Sequence, residues 1–243
     1  MGGKITVKSL QERFGRPATL IEVGKGPPSP NPAASWFGRV NLRLPHESWP
    51  IDAAGPMLPI VQLNLRDAPY VPPSLSDLDV LAVFFGRGVL PTDTPNGDGW
   101  LVRAYPNVGA LCTLEESEDA RRAVSEMSGA GRPIRPYPIS YRILARDFPD
   151  WPDVDIDIPD RISDNWEDHF GAARGCKLGG WPNLLQAEIS WAPYNEHPAN
   201  PEFVLQIDAV PKANWTCLAD TVCYIGRGTG GARDVWAFDW QCD

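Results

Sequence analysis

Short runs of apolar residues, bounded by polar, proline or glycine positions, set the pattern of this chain. Val80, Leu81, Ala82, Val83, Phe84 and Phe85 form the longest. Six apolar residues in a row suit a strand buried on both faces and are too few for a core helix. Runs at 60–64, 101–108, 139–144, 204–208 and 235–240 also predict strands. Residues 153–158 alternate strictly, so an extended backbone puts Asp153, Asp155 and Asp157 on one face and three apolar side chains on the other. Helical spacing is rarer. Residues 4–14 predict a short helix with Leu10 and Phe14 four apart. Residues 114–127 predict a longer one, with Thr113 as N-cap and Glu116 completing a capping box. A further helix is predicted over 163–173, ending before Gly175.

The pattern also repeats. Ile60-Val61-Gln62-Leu63-Asn64 is followed by Val83-Phe84-Phe85-Gly86-Arg87-Gly88. Later, Val204-Leu205-Gln206-Ile207-Asp208 is followed by Cys223-Tyr224-Ile225-Gly226-Arg227-Gly228. A Trp-Pro pair precedes each copy, Trp49-Pro50 and Trp181-Pro182. This order predicts a duplicated unit of strands and glycine turns, with two halves burying one core. The expected fold is α+β: a strand-rich single domain with an internal duplication, short helices and many Pro/Gly loops. Residues 1–34 are expected to hold the N-terminal helix and a proline-rich connection, 35–110 the first repeat, 111–175 a helical and acidic insert, and 176–243 the second repeat.

Composition sharpens this. The 243 residues include 26 prolines, about twice the usual ~5% share. Proline breaks helix interiors, so a helical bundle is excluded. No run approaches the ~18 apolar residues of a membrane span, and no apolar segment of a secretory signal opens the chain. A cytoplasmic location without membrane association is expected. The five cysteines, Cys112, Cys176, Cys217, Cys223 and Cys242, form no C-x-x-C, which argues against a zinc ribbon or redox dithiol. His46, His169 and His197 lack metal-ligand spacing with one another or with cysteine. Neither a P-loop, a G-x-S-x-G elbow nor H-E-x-x-H occurs. No catalytic residue, cofactor or metal is predicted, and the chain reads as non-enzymatic.

Charge points to a partner. The net charge is −9, and residues 147–168 carry nine acids against the single base Arg161. That sign opposes nucleic-acid binding and suits a basic protein. The residues expected to bind it are Asp147, Asp150, Trp151, Asp153, Asp155, Asp157 and Asp160. Trp151 and Trp166 read either as interface anchors or as anchors of this segment to the body. An aligned Asp153, Asp155 and Asp157 would also suit a calcium ion, although the EF-hand spacing is absent. A second reading places a ligand cleft between the repeats, with Gln62, Arg87, Gln206 and Arg227 around it and the arginines holding an anion.

Several pieces recur in a recognisable order. They are Ser35-Trp36-Phe37-Gly38, Trp49-Pro50, Pro59 to Asn64 and Val83-Phe84-Phe85, then Lys177-Leu178-Gly179-Gly180-Trp181-Pro182, Gln186, Leu205-Gln206-Ile207-Asp208 and Asp239-Trp240-Gln241-Cys242. On these residues, across roughly 35–243, the chain resembles the YwqG-like family of bacterial proteins, whose biochemical function is unknown. The resemblance implies a mixed α+β fold with internal duplication and transfers no catalytic residue. Arg39 stands where the family often has a second glycine. With the acidic segment, these features lead to the expectation of an immunity protein that neutralises a basic bacterial toxin, for instance a secreted nuclease effector. The alternative expectation is a small-molecule binder or enzyme using the cleft.

Overall fold

The computed structural model describes residues 5–115, 133–150, 158–186, 189, 191, 196–216 and 221–242. In chain order its elements are α1 (Val7–Phe14), β1 (Arg16–Val23), β2 (Trp36–Phe37), β3 (Leu42–Arg43), β4 (Ile51–Asp52), β5 (Gly55–Pro56), β6 (Leu58–Asn64), β7 (Val80–Phe85), β8 (Trp100–Tyr105), β9 (Cys112–Thr113), β10 (Tyr137–Asp147), α2 (Asp160–Ser163), β11 (Lys177–Gly179), β12 (Glu202–Ile207), β13 (Val222–Arg227) and β14 (Trp236–Gln241). Ten strands form one sheet in the order β14-β13-β12-β11-β1-β10-β2-β6-β7-β8, while β3–β9 and β4–β5 make two small ribbons. All pairings in the large sheet are antiparallel.

The continuous apolar runs are explained by burial on both faces. Leu81, Val83 and Phe85 of β7 enter the central core. Val80, Ala82 and Phe84 enter a second cluster with Val40, Leu42 and Trp49. On β13, Cys223 and Ile225 face the same central core, and Val222 and Tyr224 face a cluster with Ile189 and Trp191. The sheet rolls until its two ends meet. Trp100 of β8 stacks on Phe238 of β14 with centroids 5.2 Å apart, and Phe85 lies 5.3 Å from the same ring. The Trp240 indole donates to the Leu90 carbonyl at 3.1 Å. The result is a strand-rich, nearly closed barrel, a natural outcome for a twisted sheet of this width.

The strand order reads alike from both ends. At the middle lies the β1–β10 pair; each side then has a strand of two or three residues followed by three longer ones. Trp36 pairs with Gln62 on one side, and Lys177 with Gln206 on the other. Register shifts fall between Pro59 and Val61 and between Phe203 and Leu205, at the same offset from each glutamine. Trp100 and Trp236 occupy matching positions opposite Phe85 and Arg227. Gly86 N donates to Gly99 O at 2.7 Å, as Gly228 N does to Val235 O at 2.8 Å. Gly86 therefore matches Gly228 rather than Gly226. The two Gly-Arg-Gly stretches are offset by two residues, because ladder register sets equivalence and local sequence likeness does not.

Other expectations are corrected. Residues 1–34 supply more than a helix and a connection, since β1 lies at the centre of the sheet between β10 and β11. Residues 111–175 supply its longest strand, the eleven-residue β10. The helix expected over 163–173 is only α2 and a 3-10 turn at Trp166–Asp168. Asn165 leaves helical angles there (φ −127, ψ 30), while Ile162, Trp166 and Phe170 are all buried against Leu10. Most of the helix expected at 114–127 lies outside the described residues. Among the described residues, no helix is long and apolar enough to cross a membrane.

Candidate functional site

The site is built on a buried ion pair. Asp147 ends β10 and Lys177 opens β11; both side chains are essentially inaccessible, and Lys177 Nζ donates to Asp147 Oδ2 at 2.8 Å. The same carboxylate accepts Trp181 N on Oδ2 at 2.8 Å and Ala173 N on Oδ1 at 2.7 Å. Burial pulls the Lys177 pKa below its ordinary value, and the attraction of Asp147 opposes that. Asp147 is thus no part of an exposed acidic surface. Its charge is spent internally, as a buried charge requires.

The chain passes over this pair through Gly179 and Gly180, both left-handed with φ +70 and +71. A Cβ on Gly180 would lie 2.2 Å from Asp147 Oδ2, and one on Gly179 would lie 2.9 Å from the Tyr70 ring. Only glycine allows both the angles and the approach. The double turn delivers Trp181 to the wall of a cleft of about 610 Å³. Arg16 Cζ lies over the Trp181 ring, 3.4 Å from its centroid, while the Trp181 indole donates to the Phe14 carbonyl at 2.8 Å.

Three stretches of chain supply the remaining walls: Arg16 and Pro17 from β1, Tyr70 to Ser74 from the connection after β6, and Asn200 to Phe203 at the start of β12. The cleft therefore lies between the two sides of the symmetric sheet. Thr19 Oγ1 donates to Tyr70 O at 2.7 Å and accepts from Tyr70 N at 3.0 Å, tying the first stretch to the second. Desolvation lowers the Arg16 pKa, with Glu202 and Tyr70 acting in the opposite sense. Desolvation also raises that of Tyr70. Trp191 lines the cleft at 2% exposure, and among the described residues its indole N–H has no acceptor.

The expected ligand residues do not meet in this cleft. Gln62 Oε1 accepts Asn41 N at 2.8 Å and Leu42 N at 3.1 Å, and its Nε2 donates to Pro32 O and Ala34 O, each at 2.8 Å. Gln206 Oε1 accepts Asn183 N and its Nε2 donates to Gly175 O, both at 2.9 Å. Both amides are fully buried and tie loops to strands. Arg227 is buried, and its Nη1 and Nη2 donate to Asp77 at 2.6 and 3.0 Å. Its Nη1 also donates to Ser74 O at 2.6 Å, so Arg227 braces the rim of the cleft from behind. Arg87 is half-buried at another end of the sheet, 3.8 Å from where a Gly55 Cβ would sit.

The acidic residues also divide. Asp150 is half-buried, with Oδ1 accepting Ala172 N at 3.3 Å and Oδ2 accepting Asn183 Nδ2 at 3.4 Å, and desolvation raises its pKa. It faces inward, contrary to expectation. Trp151, Asp153, Asp155 and Asp157, and with them the aligned carboxylates, lie outside the described residues. Asp160 is exposed, as are Asp164, Glu167 and Asp168. Trp166 is buried and donates to the Pro149 carbonyl at 3.0 Å, so it anchors the segment. Burial pushes the Cys176 thiol up to about 12, the wrong direction for a nucleophile.

Arg16, Tyr70, Trp191 and Glu202 escaped the sequence reading. The one available signal was the Gly179-Gly180-Trp181-Pro182 turn. No protein-family model matches the chain, and no curated protein matches it.

Proposed function

We propose that this chain is a non-enzymatic binding protein whose small-molecule ligand occupies the cleft between the two sides of the sheet. One observation carries the reading: separate stretches of chain converge on a 610 Å³ space walled by the Arg16–Trp181 pair, Tyr70, Trp191 and Glu202. That size is typical of ligand sites. The rim is braced by Arg227 and Asp77, and the floor by the Asp147–Lys177 pair, so the cleft is pre-formed. The test is an NMR fragment screen of the whole chain. Fragments are expected to shift the Trp181 and Trp191 indole signals, with the response weakened in Trp181→Ala. A screen in which no fragment perturbs the cleft refutes the reading.

A second reading keeps a basic protein partner, such as the toxin neutralised by an immunity protein. What supports it is the exposed row of Asp160, Asp164, Glu167 and Asp168, carried on the buried anchors Ile162, Trp166 and Phe170. The whole chain should protect cells that express the product of the neighbouring gene, and neutralising those four acids together should abolish that protection. Unchanged protection refutes it. We infer also that the chain is an internal duplication of the YwqG-like kind, acting in the cytoplasm. The mirrored strand order, the matched glutamine registers and the Trp100/Trp236 pair favour the duplication.

A further inference from the structure

We infer that the ligand of this cleft is a zwitterion of amino-acid to dipeptide size with an apolar or aromatic side chain; this rests on the cleft reading above. The cleft is lined by two charged side chains, Arg16 and Glu202, of opposite sign. The Glu202 charge acts on Arg16 against the lowering that desolvation causes. Yet the guanidinium lies on Trp181, and among the described residues no ion pair joins it to the Glu202 carboxylate.

A ligand with a single charge satisfies one wall and is repelled by the other. A zwitterion satisfies both, its carboxylate forked by Arg16 and its ammonium held by Glu202. Tyr70, Pro72, Pro201 and Trp191 supply an apolar and aromatic surface for the side chain. The net charge of −9 disfavours a polyanion such as a nucleotide, whose approach it opposes.

The experiment is calorimetric and NMR titration of the full chain with L-phenylalanine, alanyl-phenylalanine, N-acetyl-phenylalanine and phenylalanine amide. The free zwitterions are expected to bind at least about tenfold more tightly than either capped compound, since each cap removes one charge-assisted contact. Arg16→Gln should erase the preference over the amide, and Glu202→Gln the preference over the acetylated compound. Both side chains are exposed enough that the variants should keep the wild-type circular dichroism. Equal binding of capped and free compounds, or an unaltered preference in both variants, overturns the zwitterion. If uncharged fragments still shift Trp181 and Trp191 in that case, the cleft reading survives without it. If nothing shifts them, both readings fall.

Discussion

Removing one partner of the Asp147–Lys177 pair should unbalance the centre of the molecule. The two ions are 2.8 Å apart at 1% and 0% exposure. At an effective dielectric of about 20, their attraction is about 6 kcal/mol. Desolvation of two ions costs several kcal/mol each, so the intact pair is near balance. Lys177→Met leaves the carboxylate buried without its cation and should cost about 3–5 kcal/mol. Asp147→Leu strands the ammonium and also leaves the N–H groups of Ala173 and Trp181 without an acceptor, at about 1–3 kcal/mol each. The double variant loses those two backbone bonds but no longer buries a lone charge. It should therefore be less destabilised than the sum of the single variants by at least about 2 kcal/mol. Urea unfolding followed by tryptophan fluorescence and far-UV circular dichroism measures this, provided the two probes coincide and the slopes match. Additive costs, or a Lys177→Met cost below about 1 kcal/mol, would refute a coupled buried pair.

Three further sets of substitutions probe separate parts of the molecule. Gly180→Ala should cost at least about 2 kcal/mol, from the left-handed backbone and the contact with Asp147, whereas Gly231→Ala, with open space around it, should change the unfolding midpoint little. Gln62→Leu, which strands four backbone groups, should lower thermal stability more than Gln206→Leu, which strands two; a reversed order would contradict the bonding described. Hydrogen bonding to Arg227 holds the Asp77 carboxyl below its ordinary pKa of 3.8. The ionised form therefore stabilises the fold above that value, and the contribution is lost as pH falls through the lowered one. Asp77→Asn should flatten this part of the acid limb in pH-dependent unfolding; an unchanged limb would show that the rim contact does not contribute.

Much of the sheet was legible in the chain. The run at 80–85 became β7, and 204–208 and 235–240 became β12 and β14 within a residue or two. These positions are buried on both faces, so hydrophobicity alone carries the signal. The two glutamines stood out as polar residues in apolar strands, and buried amides must be bonded wherever they fall. β1 was missed because its polar positions, Arg16, Thr19 and Glu22, fall three apart and it is half-exposed, a mixed pattern that resembles a connection, while β10 was read only over 139–144 of its eleven residues. The offset of the Gly-Arg-Gly stretches was invisible, since a one-dimensional match cannot see ladder register.

Local order, then, was written in the chain: which segments extend, where glycine must turn, and which amides are buried. Charge and proximity belonged to the folded molecule. Asp147 and Lys177 are thirty positions apart, and Arg16, Tyr70, Trp181 and Glu202 more widely scattered still. Composition counts a carboxylate as part of an acidic surface. Only the packing of β10 beside β1, and of β1 beside β11, turns it inward onto an ammonium and opens the cleft above it. Electrostatic energy depends on distance and dielectric, and both are set by the tertiary fold.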